Sequence, residues 1–364
     1  MGVMPTKAIT VLHATAIGSV PHREVRDVCS VITAYFGVVP FWPQLPRRDP
    51  REDMYRQLVD GIPGVREEGL RVWVDTRTDR EANLLQAYRA HLDGDLDAVG
   101  VDLDRATGLK WFIGSTLPSQ TRLFKGQMAG PVSFGLALRD AEGRPLIYDE
   151  EYMDAVVHLL ALKATWLQKQ MALTGFPTLI FLDEPYLSTI GSGHFAYDRE
   201  RAYGWIREVL SSISGLRGVH CCGNTDWAAL LDLPLDVLSF DAYEYLDTLL
   251  LYPDALRSFL LRGGILAWGM VPTTSAALAA EDVEGLANRL LEAMERLAAK
   301  CRLDRAQLAA QSLVTPACGL ASLSVSEAER ALKLTRELSS RIRAQLGVAG
   351  CELCLIGGED GGSR

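Results

Sequence analysis

The sequence predicts an α/β fold, a (β/α)8 barrel (TIM barrel) built as a single domain. Three observations predict it. Apolar runs of strand length alternate with helical patterns from end to end, and the helical segments are long enough to require parallel pairing. One run, Thr178 to Leu182, is apolar in the manner of strands covered on both faces, and it ends in Asp183 and Glu184. Chemically unusual residues recur at the ends of the strand candidates, where a barrel of this kind gathers its active site. An open doubly wound sheet is the competitor, but no Gly-x-Gly-x-x-Gly follows a first strand and no Walker loop is present.

Residues 9–20 read as the first strand, and Pro21 opens a helical pattern through Val28, Val31, Ile32 and Phe36. Residues 38–45 read as a second strand, followed by a loop and a short helix over 51–60. Residues 71–75 alternate like a strand or hairpin arm, with 111–113 as a candidate partner, and 80–92 look helical. Residues 123–132 form a strand and turn, and 149–174 a long helix with apolar residues at Met153, Val156, Val157 and Leu160. Beyond the strand 178–185 come a helix over 197–213 and a strand over 218–224. Asp226 is placed to cap a short helix to Leu233. Strands over 236–241, 265–272 and 312–319 alternate with helices over 253–262, 280–301 and 324–346. That makes nine strand candidates for eight places; 71–75 is the odd one out, in an excursion over roughly 65–120. Residues 1–346 are expected to form the barrel and 347–364 a mobile Gly-rich tail.

The 364 residues are 48% hydrophobic and 23% charged, ordinary values for a globular chain with a large core. A net charge of −9 with no run of Lys and Arg argues against nucleic acid as a partner. No stretch is long and apolar enough for a membrane span, and no secretory signal opens the chain. Met1-Gly2 with Thr6 fits the loose myristoylation pattern, which fixes too few positions to carry weight. Seven irregularly spread cysteines fit a reducing, cytoplasmic setting better than a disulfide framework. Cys29 reads as core, Cys301 as a helix end, and Cys351 with Cys354 as an incidental tail pair.

The chemistry centres on Gly218-Val-His-Cys-Cys-Gly-Asn224. In a strand His220 and Cys222 face the same way and Cys221 the opposite way. Imidazole and thiolate side by side are ligands for a borderline metal, zinc first, and Cys318 is the third candidate. Asp241 ends its strand in register for a fourth position, with Glu244 as the alternative. The remaining strand-end residues are Gly18-Ser19, Gln44, Gln127 and the pair Asp183-Glu184. With two thiolates the zinc is electron-rich and suited to holding a substrate thiol in its nucleophilic form. The reaction class is therefore alkyl transfer to sulfur.

Several stretches resemble the catalytic barrel of cobalamin-independent methionine synthase, in the wider group that includes uroporphyrinogen decarboxylase and the zinc methylcobamide:coenzyme M methyltransferases. Thr15-Ala-Ile-Gly-Ser-Val-Pro21 is similar to the family's first-strand motif, and Phe181-Leu-Asp-Glu-Pro185 to its Asp-Glu-Pro strand end. His220-x-Cys222 and Cys318-Gly319 fall on its zinc ligands, and Asp241 stands where the family has Glu. Ala267-Trp-Gly-Met-Val-Pro272 also matches. The resemblance implies zinc on His220, Cys222, Cys318 and Asp241. It implies a substrate site on Ile17, Gly18, Ser19, Gln44 and Asp183, with Asp183 and Glu184 as catalytic carboxylates. The activity it implies is methylation of a thiol, homocysteine preferred, to give methionine. The methyl donor would be methylcobalamin or another methylcorrinoid, free or on a corrinoid carrier protein, or methyltetrahydrofolate. The chain departs from the family in having no second barrel and no His-Gly-Glu motif, so it corresponds to a stand-alone core. Its His-Cys-Cys-Gly-Asn224 is equally similar to the coenzyme M enzymes, which makes a methylcobamide:thiol methyltransferase the alternative. A metal-free decarboxylase is a further alternative, although no Arg group stands at the strand ends; a structural zinc protein is the non-catalytic one.

Overall fold

The computed structural model describes residues 11–190 and 197–348. In chain order the elements are β1 (His13–Ala14), α1 (Val25–Tyr35), β2 (Val65–Glu68), β3 (Arg71–Val74), α2 (Arg80–Asp93), α3 (Thr107–Ile113), β4 (Phe124–Ala129), α4 (Pro131–Ala137) and α5 (Glu150–Ala172). There follow β5 (Thr178–Asp183), α6 (Arg199–Ser211), β6 (Leu216–Cys221), α7 (Trp227–Leu231), β7 (Val237–Phe240), α8 (Leu246–Leu249), α9 (Pro253–Leu261), β8 (Ile265–Val271), α10 (Ser275–Ala280), α11 (Val283–Cys301), α12 (Arg305–Ala310), β9 (Ser312–Pro316) and α13 (Val325–Gln345).

Seven strands form one curled sheet in the order β1-β9-β8-β7-β6-β5-β4, and every pairing in it is parallel. With helices between the strands this is a TIM-barrel-like α/β fold. The expected second strand, 38–45, is present only as isolated bridges, Phe41 with Lys125 of β4 and Ser19 with Gln44. Pro40 and Pro43 lack an N–H and cannot continue a ladder. The segment nevertheless reaches both sheet edges: Lys125 N–H donates to the Pro40 carbonyl at 2.8 Å, and Gln44 N–H to the Gly18 carbonyl at 3.1 Å.

Other elements differ from expectation for local reasons. Of the first strand only His13 and Ala14 join the ladder, and residues 9–10 lie outside the described residues. The helix expected over 51–60 is two 3₁₀ turns, because the Asp53 carboxylate takes the Tyr55 N–H at 3.0 Å and breaks the run. Residues 111–113 belong to α3, not to a strand; Leu109 and Phe112, three apart, are its buried face. The partner of β3 is β2, antiparallel across a two-residue turn with Gly69 at φ 56°. Asp226 caps α7 as expected, accepting from Ala229 N–H at 3.1 Å. Cys29 is buried in α1 and Cys301 ends α11. Cys351, Cys354, Met1, Gly2, Thr6 and all but the first two residues of the expected tail lie outside the described residues. No helix among the described residues is long and apolar enough to cross a membrane.

The core has two parts. The larger lies between sheet and helices and includes Ile180, Leu182, Val219, Leu238, Phe240, Trp268 and Val314. The smaller comprises Val39, Leu123, Leu179, Phe181, Val237, Ile265, Ala267 and Leu313. Strand register puts these on the opposite, inward face. Along that face the chemistry changes from apolar to polar toward the strand C-termini. Leu123 is followed by Lys125 and Gln127, Leu179 and Phe181 by Asp183, Gly218 by His220, and Leu313 by Thr315. The closed end is thus filled by hydrocarbon, and the polar groups are gathered at the other.

Candidate metal centre

Three side chains meet at the polar end. His220 is the inward residue near the end of β6, in register with Asp183 of β5 and Ser239 of β7. Gly218, two residues earlier, has no Cβ because one there would stand 2.2 Å from the Phe181 ring. Cys222 follows β6 immediately, and Cys318 lies two residues beyond β9. The ligand atoms of His220, Cys222 and Cys318 lie within 4.8 Å of one another. Cys221 faces the other way; it is fully buried, its thiol hydrogen-bonds to the Gly223 carbonyl at 3.4 Å, and burial pushes it up to about 12.

The trio fits a metal such as zinc. His220 Nδ1 is 2.9 Å from the Ser239 hydroxyl, which leaves Nε2 buried with no hydrogen-bond partner. An orphaned imidazole nitrogen beside two sulfurs is the donor set expected for zinc, with the ring held by its other nitrogen. The contact with Cys318, and then His220, draw the Cys222 thiol down, while the contact with Cys222 and burial push Cys318 up. Ser239→Ala should weaken metal affinity about 10- to 100-fold by releasing the ring, with the fold retained. Competition against a chromogenic chelator measures this directly.

The two residues expected at the fourth position are Asp241 and Glu244. Neither Asp241 nor Glu244 belongs to the cluster. The Asp241 carboxylate accepts the Glu244 N–H at 2.9 Å and so closes the turn after β7, while Glu244 is exposed. Burial pushes the Asp241 carboxyl up to about 6.

The two carboxylates that end β5 have different surroundings. Asp183 is buried, its Oδ1 has no hydrogen-bond partner, and burial raises it to about 6 against the nearby Lys125 and His220. Glu184 turns away to α4. Its two oxygens accept the Val132 and Ser133 N–H groups at 3.0 and 2.8 Å, at the first turn of that helix. Gly130 makes room, since a Cβ there would stand 2.2 Å from the carboxylate. Glu184, expected as a catalytic carboxylate, thus accepts the N–H groups of the first turn of α4.

Of the expected substrate residues, Ile17, Gly18 and Ser19 form a bend against the loop that follows β9. Leu320 N–H donates to the Ser19 carbonyl at 2.8 Å, and a Cβ on Gly319 would meet the Ser19 hydroxyl at 2.2 Å. Gly18 has φ 144° and packs on Gln127. Gln44 belongs to a buried amide chain: its Nε2 donates to Gln57 at 2.9 Å, and Gln57 to the Arg105 carbonyl at 2.6 Å.

Sequence reasoning missed Lys125 and the tyrosines Tyr55 and Tyr186. Lys125 was legible as a cation within the apolar run 123–132, on a strand covered on both faces. Tyr186, 39% exposed, and Tyr55 have ring centroids 6.4 Å apart. Burial, then the Tyr186, Glu184, Asp53 and Asp183 charges, push the Tyr55 phenol up. No sequence signal joins residues 131 apart.

No protein-family model matches the chain, and no curated protein matches it. Among solved structures, it is similar to a methyltransferase from Methanosarcina mazei over 92% of this chain and 98% of that one, with a TM-score of 0.51 and 14% identity. It also aligns with a B12-independent methionine synthase from Shewanella sp. W3-18-1 in complex with selenomethionine, over 65% of this chain and 67% of that one, with a TM-score of 0.47 and 14% identity. At this identity the likeness to the Methanosarcina protein is one of fold.

Proposed function

We propose that this protein is a methyltransferase acting on a thiol, homocysteine preferred, with zinc held by His220, Cys222 and Cys318. The observation that carries the reading is the convergence of two thiols and the buried, unpartnered His220 Nε2 at the polar end of the sheet. In this reading residues 38–45 supply the second strand of an eight-stranded barrel, and 1–346 are one catalytic domain. The zinc, when bound, lowers the pKa of a substrate thiol so that it is a thiolate at neutral pH.

The chain's own residues do the rest. Asp183, with Oδ1 unpaired, takes the substrate ammonium. Ser19 and the turn around Gly18 take the carboxylate. Asp241 stays at the turn after β7, which leaves the fourth position to substrate sulfur. The reaction forms an S–CH3 bond, breaks the bond between methyl and donor, and releases the thiol proton. The donor is methylcobalamin or another methylcorrinoid, free or on a carrier protein, or methyltetrahydrofolate. The setting we propose is a reducing compartment such as the cytoplasm. A uroporphyrinogen decarboxylase-like reaction is disfavoured. Among the inward strand residues the one Lys or Arg is Lys125, and its ammonium is already bonded within the protein. Among the described inward strand residues no array of cations is left for substrate carboxylates.

Cobalt-substituted protein titrated with homocysteine, and with 2-mercaptoethanesulfonate as the rival thiol, tests the reading. Homocysteine should perturb the visible spectrum at one equivalent, and methionine should form with one of the two donors. A fully active metal-free protein, or a cobalt spectrum that no thiol changes, would overturn it.

A further inference from the structure

We infer that Lys125 is the positioning residue of the substrate turn, an inference that rests on the reading above. Lys125 lies on β4 with its side chain inside the sheet, fully buried. Its ammonium has three N–H groups to place. It donates to the Ile17 carbonyl and, at 2.9 Å, to Gln127 Oε1, and it stands 4.6 Å from the centroid of the Phe181 ring. Enclosed and bonded in this way, it is not available to contact substrate.

What it holds is the turn. Ile17 precedes Gly18, whose φ of 144° suits glycine and whose Cα faces the Gln127 amide so closely that a Cβ would lie 2.4 Å from it. Gln127 is fixed at its other end, donating to the Trp42 carbonyl at 3.0 Å. Lys125 and Gln127 thus grip the Ile17–Gly18 peptide from within the sheet. On the other side of the turn, the N–H groups of Gly18 and Ser19 have no acceptor among the described residues. Two amides held side by side, near the ligand trio and tied to it through Gly319 and Leu320, form a receptor for a carboxylate. Lys125 fixes their direction by bonding to the carbonyl just before them. Desolvation lowers its pKa to about 7, opposed by Asp183, so the grip is strongest while it stays protonated.

The test uses the metal-loaded, cobalt-substituted protein and two thiols, homocysteine and 2-mercaptoethanol, which has neither carboxylate nor amine. Lys125→Met should bind one metal and bind 2-mercaptoethanol as the unaltered protein does. Its affinity for homocysteine should fall about 10- to 100-fold, the range for losing hydrogen bonds to a charged group. Equal loss for both thiols, or no loss for homocysteine, would overturn the inference. Should Lys125→Met fail to fold, Gln127→Met removes the same grip from the other side and must show the same selectivity. If the unaltered protein answers to neither thiol, the proposed function fails; if it answers to both and the variants lose both equally, only the role of Lys125 fails.

Discussion

Replacing Cys318 with serine should remove metal and activity together. A neutral hydroxyl is a far poorer ligand than a thiolate, and Cys318 is the one member of the trio brought from the loop after β9; the other two lie at the end of β6 and just after it. Two ligands then remain, and a two-ligand site does not retain zinc against a mild chelator. Lewis-acid activation contributes several kcal/mol to transition-state stabilisation, so turnover should fall by at least about 10³-fold. Elemental analysis of dialysed protein gives the stoichiometry, and a methyl-transfer assay the rate. The fold should survive, because Cys318 is only half-buried and the loop is held by backbone bonds, Ala317 to Val271 at 2.8 Å and Leu320 to Ser19 at 2.8 Å. A variant that loses its metal but keeps its activity would exclude metal-assisted chemistry at this centre.

Glu184→Ala should destabilise the protein by roughly 3–4 kcal/mol without touching the metal. Two buried N–H groups at the start of α4 would lose their acceptor, at about 1–3 kcal/mol each, and a void would open beside Gly130. Urea denaturation should show a lower midpoint with an unchanged slope. Glu184→Gln keeps the shape and one acceptor and should lose roughly half as much. These variants separate the two roles that Asp183-Glu184 has in the sequence. If Glu184 acted on substrate, the glutamine variant would keep its midpoint and lose turnover. As a helix cap, it should lose midpoint and keep turnover.

Much of the sheet was legible because its strands are local objects. Thr178 to Asp183 and Ile265 to Val271 are apolar runs whose own composition predicts burial on both faces, and both are strands over those residues. The segment 38–45 was legible as extended but not as bridges, since its two prolines act on hydrogen bonds to other strands. Residues 111–113 were misread because three apolar or aromatic residues cannot distinguish a strand from the end of a short helix.

The site divides along the same line. Alternation places His220 and Cys222 on one face and Cys221 on the other, and two residues of chain suffice to decide it. So the sequence by itself determined where most of the strands lie, the polar residues at their ends and the candidacy of His220, Cys222 and Cys318 as metal ligands. Only the tertiary structure decided how the remaining polar groups are used. It brought Cys318 to the pair from 96 residues away in the chain, turned Asp241 to the Glu244 N–H and Glu184 to α4, joined Gln44 to Gln57, and enclosed Lys125 under Gly18. The reason is physical. A residue's face is set by backbone geometry within a few neighbours, whereas a buried polar group takes whichever partner the packed strands and helices put within about 3 Å of it.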